Sequence, residues 1–243
     1  MSKGFLGMKL RIDIITLFPE LIRCFAETAI VKRAQDRGLV FIKAYNLRAF
    51  SSDRYRTVDD YPYGGGPGMV LKPEPISRAV EFIKGVTHSQ PRVLITSPQG
   101  RVFNQSLAET LSLCPHIILV CGRYQGIDQR VIELCQGEEI SVGDYVLSGG
   151  ELPAMIVAEA ITRLVPEVLG DEESIHFDSF YDRILGPPQY TRPRIFEGRA
   201  VPEVLTSGNH SLIEEWRRKK ALQKTRLVRP DLLDKLSDEV IHE

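Results

Sequence analysis

Short apolar segments with the pattern of β-strands alternate with helix-like segments over the first two thirds of the chain. Strands are predicted at 9–17, 39–45, 92–96, 116–121 and 139–142. Helices are predicted from Pro19 to before Gly38 and at 75–84, 104–113 and 151–164. The run HIILVC at 116–121 is typical of a strand covered on both faces. Because strands that alternate with helices usually pair in parallel, the pattern predicts an α/β fold with a largely parallel sheet.

The chain of 243 residues is long enough for one large domain or two small ones. Residues 166–190 combine prolines, glycines and acids, a composition typical of a linker. Beyond them, Ser211 to Gln223 has helical spacing. We therefore expect an α/β domain at 1–165, a linker at 166–190 and a small helical domain at 191–243.

The charge is unevenly distributed, although the net charge is only -1. That near-neutral total excludes a protein whose whole surface is basic and binds nucleic acid. From Glu167 to Asp182, six acids and no Lys or Arg give -6, whereas from Arg183 to Arg229 eleven basic residues against four acids give +7. The basic block points to a polyanionic partner, and a solvated helix face is the alternative.

Other features exclude several classes of protein and site. No apolar run approaches the roughly 20 residues of a membrane span, so we expect no membrane partner. The first seven residues are too few and too polar for a signal peptide, which predicts a cytoplasmic protein. The four cysteines form no C-x-x-C pair, and the five histidines lack ligand spacing. We therefore predict no metal-ligating residues.

Three glycine-rich segments follow three of the predicted strands, at 97–100, 122–126 and 143–150. The carboxyl edge of an open α/β sheet is where ligands bind, and glycines let the backbone approach a ligand closely. As simple turns, however, the same segments would need no ligand. No G-x-G-x-x-G follows the first strand and no P-loop sequence occurs, so the sequence gives no support for binding of a dinucleotide or of a nucleotide in a P-loop.

The order and spacing of several motifs resemble the bacterial tRNA (guanine-N1)-methyltransferases, the TrmD family of the SPOUT class. The matching motifs are Phe18-Pro19-Glu20, Arg56–Asp60, Pro62–Met69, Ser97–Gly100, Val120–Tyr124, Gly143–Pro153, Asp178–Phe180, Tyr190–Pro193, Leu205 and Ser207–His210. The resemblance runs from Met8 nearly to the C-terminus. It implies a SPOUT-type parallel sheet whose segments around 92–150 form a deep trefoil knot, an exception to the rule against threaded chains.

The resemblance also implies the cofactor and the assembly. S-adenosylmethionine would bind in the knot, and the active enzyme would be a homodimer in which the linker and C-terminal domain of one protomer complete the other's site. The implied cofactor-binding residues are Ser97, Pro98, Gln99, Gly122, Val142, Gly143, Asp144, Tyr145, Val146, Leu147, Gly149, Gly150 and Pro153.

The implied reaction methylates N1 of the guanine immediately 3' of the anticodon, at position 37 of tRNA. Guanine N1 carries a proton, so the reaction needs a base and a group that stabilises charge on O6. The family pattern assigns these roles to Asp178 and Arg163. The anticodon stem-loop would contact the basic block through Lys219, Lys220 and neighbouring cations. For Trp216, its helical phase favours a core role over stacking on a base.

Two positions depart from the family pattern. Gln125 stands where the family commonly has Glu, and Gly186 aligns where it often has Asp. Because both acids are linked in the family to cofactor or magnesium contacts, their absence argues against a tightly held magnesium ion and leaves open an ion carried by the RNA. A SPOUT enzyme for ribosomal RNA and a non-catalytic tRNA-binding protein are the rivals. The GGGPGM segment and Asp178-Ser-Phe argue against a ribosomal RNA enzyme. A non-catalytic protein would not need Arg163 and Asp178 at the positions of the family's catalytic residues.

Overall fold

The computed structural model describes residues 9–170 and 178–233. The chain divides into two compact units, Met1–Gly170 and Asp171–Glu243. Residues 171–177 of the predicted linker lie outside the described residues, together with 1–8 and 234–243. Three acids of the acidic block, Asp171, Glu172 and Glu173, are among them.

The first unit has an α/β architecture, which confirms the predicted α/β fold with a largely parallel sheet. Its strands are β1 (Leu10–Thr16), β2 (Val40–Asn46), β3 (Asp59–Asp60), β4 (Val70–Leu71), β5 (Arg92–Val102), β6 (His116–Cys121) and β7 (Glu138–Ser141). Five of them form one sheet in the order β2-β1-β6-β5-β7, and every neighbouring pair is parallel. β3 and β4 form a separate antiparallel pair on either side of a fourth glycine-rich segment, at 64–68.

Helices cover both faces of the sheet. They are α1 (Pro19–Ala26), α2 (Ala29–Asp36), α3 (Pro73–Thr87), α4 (Gln105–Ser112), α5 (Arg130–Cys135) and α6 (Glu151–Leu164). α1, α2, α4 and α6 pack on one face, where Ile117 and Leu119 of β6 point, and α3 and α5 pack on the other, with Ile118 and Val120. Because successive strand residues point to opposite faces, a strand in the middle of such a sandwich must be apolar throughout. β6 is buried along its whole length.

The single helix predicted from Pro19 to before Gly38 is wrong, because the chain forms two helices there. Thr28 separates α1 from α2, and its N–H and hydroxyl both donate to the Phe25 carbonyl, at 3.0 and 2.6 Å. Ala29 then has φ 43, outside the right-handed helical region. Thr28 therefore satisfies a carbonyl at the end of α1, so the chain can change direction without leaving that acceptor unpaired.

The structure also corrects the end of the third sheet strand, which was predicted to stop at Thr96. β5 continues to Val102, and its pairing with β7 shifts register between Thr96 and Arg101, which both pair with Ile140. Residues 97–100 therefore form an irregularity inside the strand. Because β5 resumes its pairing after them, their backbone is held at both ends by the sheet.

The second unit contains a hairpin of β8 (Ile195–Phe196) and β9 (Arg199–Ala200), a 3-10 turn at Glu203–Thr206, and the helix α7 (His210–Val228). The Asn209 side chain caps α7 by accepting from the Leu212 N–H at 3.3 Å. Thr225 of α7 is buried, and its hydroxyl accepts from the Leu185 N–H at 3.0 Å. Within the described residues, no helix is long and apolar enough to cross a membrane.

Candidate functional site

A cleft of about 410 Å³ lies at the carboxyl edge of the sheet, where β5, β6 and β7 are neighbours. We call it the loop cleft, since its lining comes mainly from the segments 97–99, 122–127 and 142–150. The sheet order brings these segments together, because adjacent parallel strands end at the same edge. The volume falls in the range of about 300–1,000 Å³ typical of small-molecule sites.

Backbone hydrogen bonds join the segments of the loop cleft. The Gly150 N–H donates to the Gly122 carbonyl at 2.7 Å, and the Gly122 N–H donates to Thr96 Oγ1 at 3.1 Å. Arg123 and Gly149 form an antiparallel bridge beside them. These contacts fix the segments relative to one another, so the cleft is preorganised for a ligand.

Close packing at Gly150 explains why this position is a glycine. A Cβ atom there would lie 1.9 Å from Thr96 Oγ1, 2.7 Å from the Gly122 nitrogen and 2.9 Å from the Cys121 Cα. Gly150 has φ -82 and ψ -1, which any residue can adopt. The requirement for glycine here is therefore one of space and not of backbone conformation.

The structure places almost the whole predicted cofactor-binding set around the loop cleft. The set lines it except for Asp144, which is exposed and outside the lining. The residues that do line it are Ser97, Pro98, Gln99, Gly122, Val142, Gly143, Tyr145, Val146, Leu147, Gly149, Gly150 and Pro153. Their role in binding a ligand stays a prediction.

Several residues of the cleft were not assigned to it from the sequence. Glu139 reaches the lining although it stands near the start of β7, because that strand has only four residues. Gln125 and Gln129 line the same space from the segment after β6. Gln125 lies within the glycine-rich segment 122–126 that the sequence had marked, although it was not included among the predicted cofactor-binding residues, whereas no local signal marks Glu139.

A buried polar group lies next to the cleft. Glu151 is the first residue of α6 and is 4% exposed; its Oε1 accepts from the Thr16 hydroxyl at 2.8 Å. Its Oε2 lies 3.5 Å from an Arg123 guanidinium nitrogen. A carboxylate at a helix N-terminus is also favoured by the helix dipole. Burial raises the pKa of the nearby Cys121 thiol well above its ordinary value, and the Glu151 carboxylate adds to the increase.

The glycine-rich segment between β3 and β4 is tied to the rim of the cleft. The Gln125 N–H donates to the Met69 carbonyl at 2.9 Å, and the Leu71 N–H donates to the Gly126 carbonyl at 3.0 Å. A Cβ at Gly68 would lie 2.7 Å from the Gln125 Cγ. The loop from 64 to 68 is thus anchored where its chain meets the cleft lining.

The two residues predicted to be catalytic belong to different units. Arg163 lies in the last turn of α6 and is partly exposed. Asp178 is exposed and belongs to the second unit. Neither lines the loop cleft of the first unit, and their catalytic roles stay predictions.

The basic block lies in the second unit, much of it on α7. Arg218, Lys219 and Lys224 are exposed there, so their charges are accessible to a partner. Trp216 is partly buried, with its ring centroid 6.2 Å from that of Tyr190. The Lys220 ammonium lies 6.0 Å from the Trp216 ring centre. Among the described residues, no group of three or more His, Cys, Asp or Glu is arranged to hold a metal ion.

Comparison with known proteins assigns the family. The model of the family described as tRNA (Guanine-1)-methyltransferase TrmD matches residues 10–235. A tRNA (guanine-N(1)-)-methyltransferase from Dictyoglomus turgidum is 57% identical over 228 residues, which cover 94% of this chain and 91% of that relative. Enzymes of the same name from Moorella thermoacetica and Bacillus licheniformis are 50% and 49% identical, covering 94% and 93% of this chain and 92% and 93% of the relatives. The chain belongs to the tRNA (guanine-1)-methyltransferase TrmD family.

Proposed function

We propose that this chain transfers a methyl group from S-adenosylmethionine to N1 of guanine 37 in tRNA, immediately 3' of the anticodon. Its family membership supports the general activity, a tRNA (guanine-N1)-methyltransferase. The observation that carries the proposal further is the loop cleft, which gathers three glycine-rich segments around a volume suited to one small cofactor.

The lining of the loop cleft fits S-adenosylmethionine chemically. Pro98, Leu147 and Pro153 offer apolar surface for adenine, and the surrounding glycines expose backbone groups for its polar edge. Glu139 also lines the cleft, and a carboxylate at this position would suit a ligand with cationic ammonium and sulfonium groups. When bound, S-adenosylmethionine supplies an electrophilic methyl group on sulfur. The chain's own residues bind it and hold its methyl group toward the guanine.

In the proposed reaction, Asp178 accepts the N1 proton of guanine while N1 forms its bond to the methyl carbon and the carbon–sulfur bond breaks. Arg163 stabilises the negative charge that develops on guanine O6. An aspartate carboxylate is a weak base in water, so the acceleration of methyl transfer must come from placing the carboxylate within hydrogen-bond distance of N1. Exposure of Asp178 is compatible with its meeting a substrate from solution.

The remaining parts of the proposal concern the architecture. We assign cofactor binding to 1–165, with a trefoil knot through 92–150, a linker to 166–190 and tRNA binding to 191–243. Gly150 packs closely against Gly122 and Thr96, which places the segment before α6 beside the ends of two strands in the region assigned to the knot. A homodimer with a composite site would bring a partner's Asp178 to this cleft. The cytoplasm is the proposed location, because tRNA is the substrate.

Mass spectrometry of a tRNA transcript tests the proposal directly. Incubation with the protein and S-adenosylmethionine should add one methyl group to guanine 37, and a transcript with adenine at that position should gain none. Methylation elsewhere, or none at all, would reject the proposed substrate.

Asp178→Ala tests the assignment of the base. We expect the rate of methyl transfer to fall by about 10²–10⁴-fold, with the cofactor dissociation constant, measured by calorimetry, unchanged within a few fold. Asp182→Ala is the matched control, since Asp182 is another exposed acid of the same block. Near-normal turnover by Asp178→Ala would remove Asp178 as the base.

A further inference from the structure

The second unit contains a cavity of its own, of about 370 Å³. It is lined by residues 188–192, Arg194 and Val201 and by residues of the 3-10 turn and α7. We call it the arginine cavity, after its three cationic residues Arg192, Arg194 and Arg217. Among the residues that the structure describes, none of those lining it is acidic.

The charges of the arginine cavity suit a phosphate group. In the part of the chain that the structure describes, neither Arg192 nor Arg194 forms an ion pair, and both are exposed. Two guanidinium groups without a carboxylate partner, next to one cavity, form a site for an anion. Guanidinium groups bind phosphate oxygens through paired hydrogen bonds, which makes a phosphodiester a suitable ligand.

The remaining surface of the cavity is apolar and aromatic. Val201, Leu205 and Ile213 are partly buried in its lining. Tyr190 also lines it, with half of its surface exposed, and its ring lies 6.2 Å from Trp216 at an angle of 57°. This spacing is typical of an interacting aromatic pair, so Trp216 restrains the Tyr190 ring. A restrained and exposed aromatic ring is a platform on which a nucleic-acid base can stack.

We propose that the arginine cavity binds one unpaired nucleotide of the RNA substrate. Its base packs against Tyr190 and the apolar wall, and its phosphodiester contacts Arg192 and Arg194. The volume is that of a site for a small organic ligand, larger than an isolated phosphate requires. The inference rests on the proposed function, because it takes tRNA as the substrate, and adds a contact separate from the methylated guanine.

Arginine substitutions test the phosphate contact. We expect Arg192→Gln and Arg194→Gln each to weaken binding of an anticodon stem-loop RNA by about five- to tenfold and to lower its salt dependence by about one phosphate contact. Arg33→Gln is the matched control, since Arg33 is exposed and lies outside both the lining and the basic block. Fluorescence anisotropy over a salt series measures both quantities. Equal effects of all three substitutions, or none, would overturn the proposal.

Tyrosine substitutions separate a nucleotide site from a general charge effect. Tyr190→Ala keeps every charge, yet it should weaken stem-loop binding by about fivefold or more, whereas Tyr190→Phe should retain wild-type affinity. A fully paired RNA duplex of equal length has no unpaired base, so its affinity should be the same for all three proteins. If Tyr190→Ala binds the stem-loop like wild type, or loses duplex and stem-loop equally, no base stacks there. Thermal unfolding confirms that each variant is folded.

The methyl-transfer assay distinguishes the two proposals. If the wild type methylates tRNA while the cavity variants bind RNA normally, the cavity is rejected and the proposed function stands. If the variants lose RNA affinity but the wild type transfers no methyl group, the RNA site stands and the proposed function fails.

Discussion

Replacing Gly150 with alanine would test how tightly the loop cleft is packed. The new Cβ would lie 1.9 Å from Thr96 Oγ1 and 2.7 Å from the Gly122 nitrogen. Thr96 Oγ1 accepts from the Gly122 N–H and donates to the Val120 carbonyl, so it cannot move away without breaking these hydrogen bonds. The methyl group must therefore displace the backbone, the hydroxyl or both.

The expected cost follows from two contributions. Overpacking a close-packed region costs about 1–3 kcal/mol. Leaving the Gly122 N–H without its acceptor costs about 1–3 kcal/mol more. The free energy of unfolding should thus fall by about 2–6 kcal/mol, which lowers the Tm of a chain of this size by about 4–24 °C. Affinity for S-adenosylmethionine should fall too, because the displaced segments line the cleft.

Calorimetric unfolding with Gly85→Ala as control checks this reasoning. Gly85 lies within α3, and a Cβ there would meet no atom within 4 Å. That substitution should therefore raise stability by about 0.4–1 kcal/mol. A double variant, Gly150→Ala with Thr96→Ala, should be less destabilised than the sum of the single variants by about 0.5–3 kcal/mol. Equal Tm values for Gly150→Ala and Gly85→Ala would refute the packing argument.

Three further predictions concern charge and burial. Hydrogen bonds from Arg92 lower the pKa of Glu138. The pair therefore stabilises the fold at pH values above the ordinary Glu pKa, and this contribution is lost as the pH falls through the lowered pKa. Glu138→Gln should remove the contribution and lower the free energy of unfolding by less than about 1 kcal/mol, measured by urea unfolding at neutral pH. A thiol reagent should label exposed Cys24 quickly and Cys121 only after unfolding, since Cys121 is buried and its pKa is raised; equal labelling rates would contradict the assigned burial. Glu151→Ala should lower the free energy of unfolding by about 1–3 kcal/mol in denaturant titration, since it removes the acceptor of the buried Thr16 hydroxyl and the anionic partner of the partly exposed Arg123. No measurable loss of stability would show that these contacts are unimportant.

Local patterns predicted much of the first unit because its elements have clear periodicity. The apolar run of β6 indicated a strand covered on both faces, and all six residues are buried. The segment from Glu151 to Leu164 was predicted as a helix with the observed bounds. The break between α1 and α2 was missed, since it depends on the conformation of Thr28 and Ala29 and not on the apolar pattern, which continues through both helices.

The candidate site was predictable only in part. The glycine-rich segments and the resemblance pointed to most of the cleft lining, because they are contiguous in the chain. Glu139 was missed, since it enters the cleft through the shortness of β7 and the register shift in β5. The contact of Glu151 with Thr16 could not be predicted from the sequence either, because the two residues are 135 positions apart in the chain.

The order of residues alone was enough to establish the alternation of strands and helices, the three glycine-rich segments and the family resemblance, because each of these is a local property of the chain. Tertiary structure decided the strand order β2-β1-β6-β5-β7 and the resumption of β5 beyond residue 100. It also decided the space available at Gly150. These features depend on hydrogen bonds and close packing between residues far apart in the chain, and such contacts leave no periodic trace in the segments that form them.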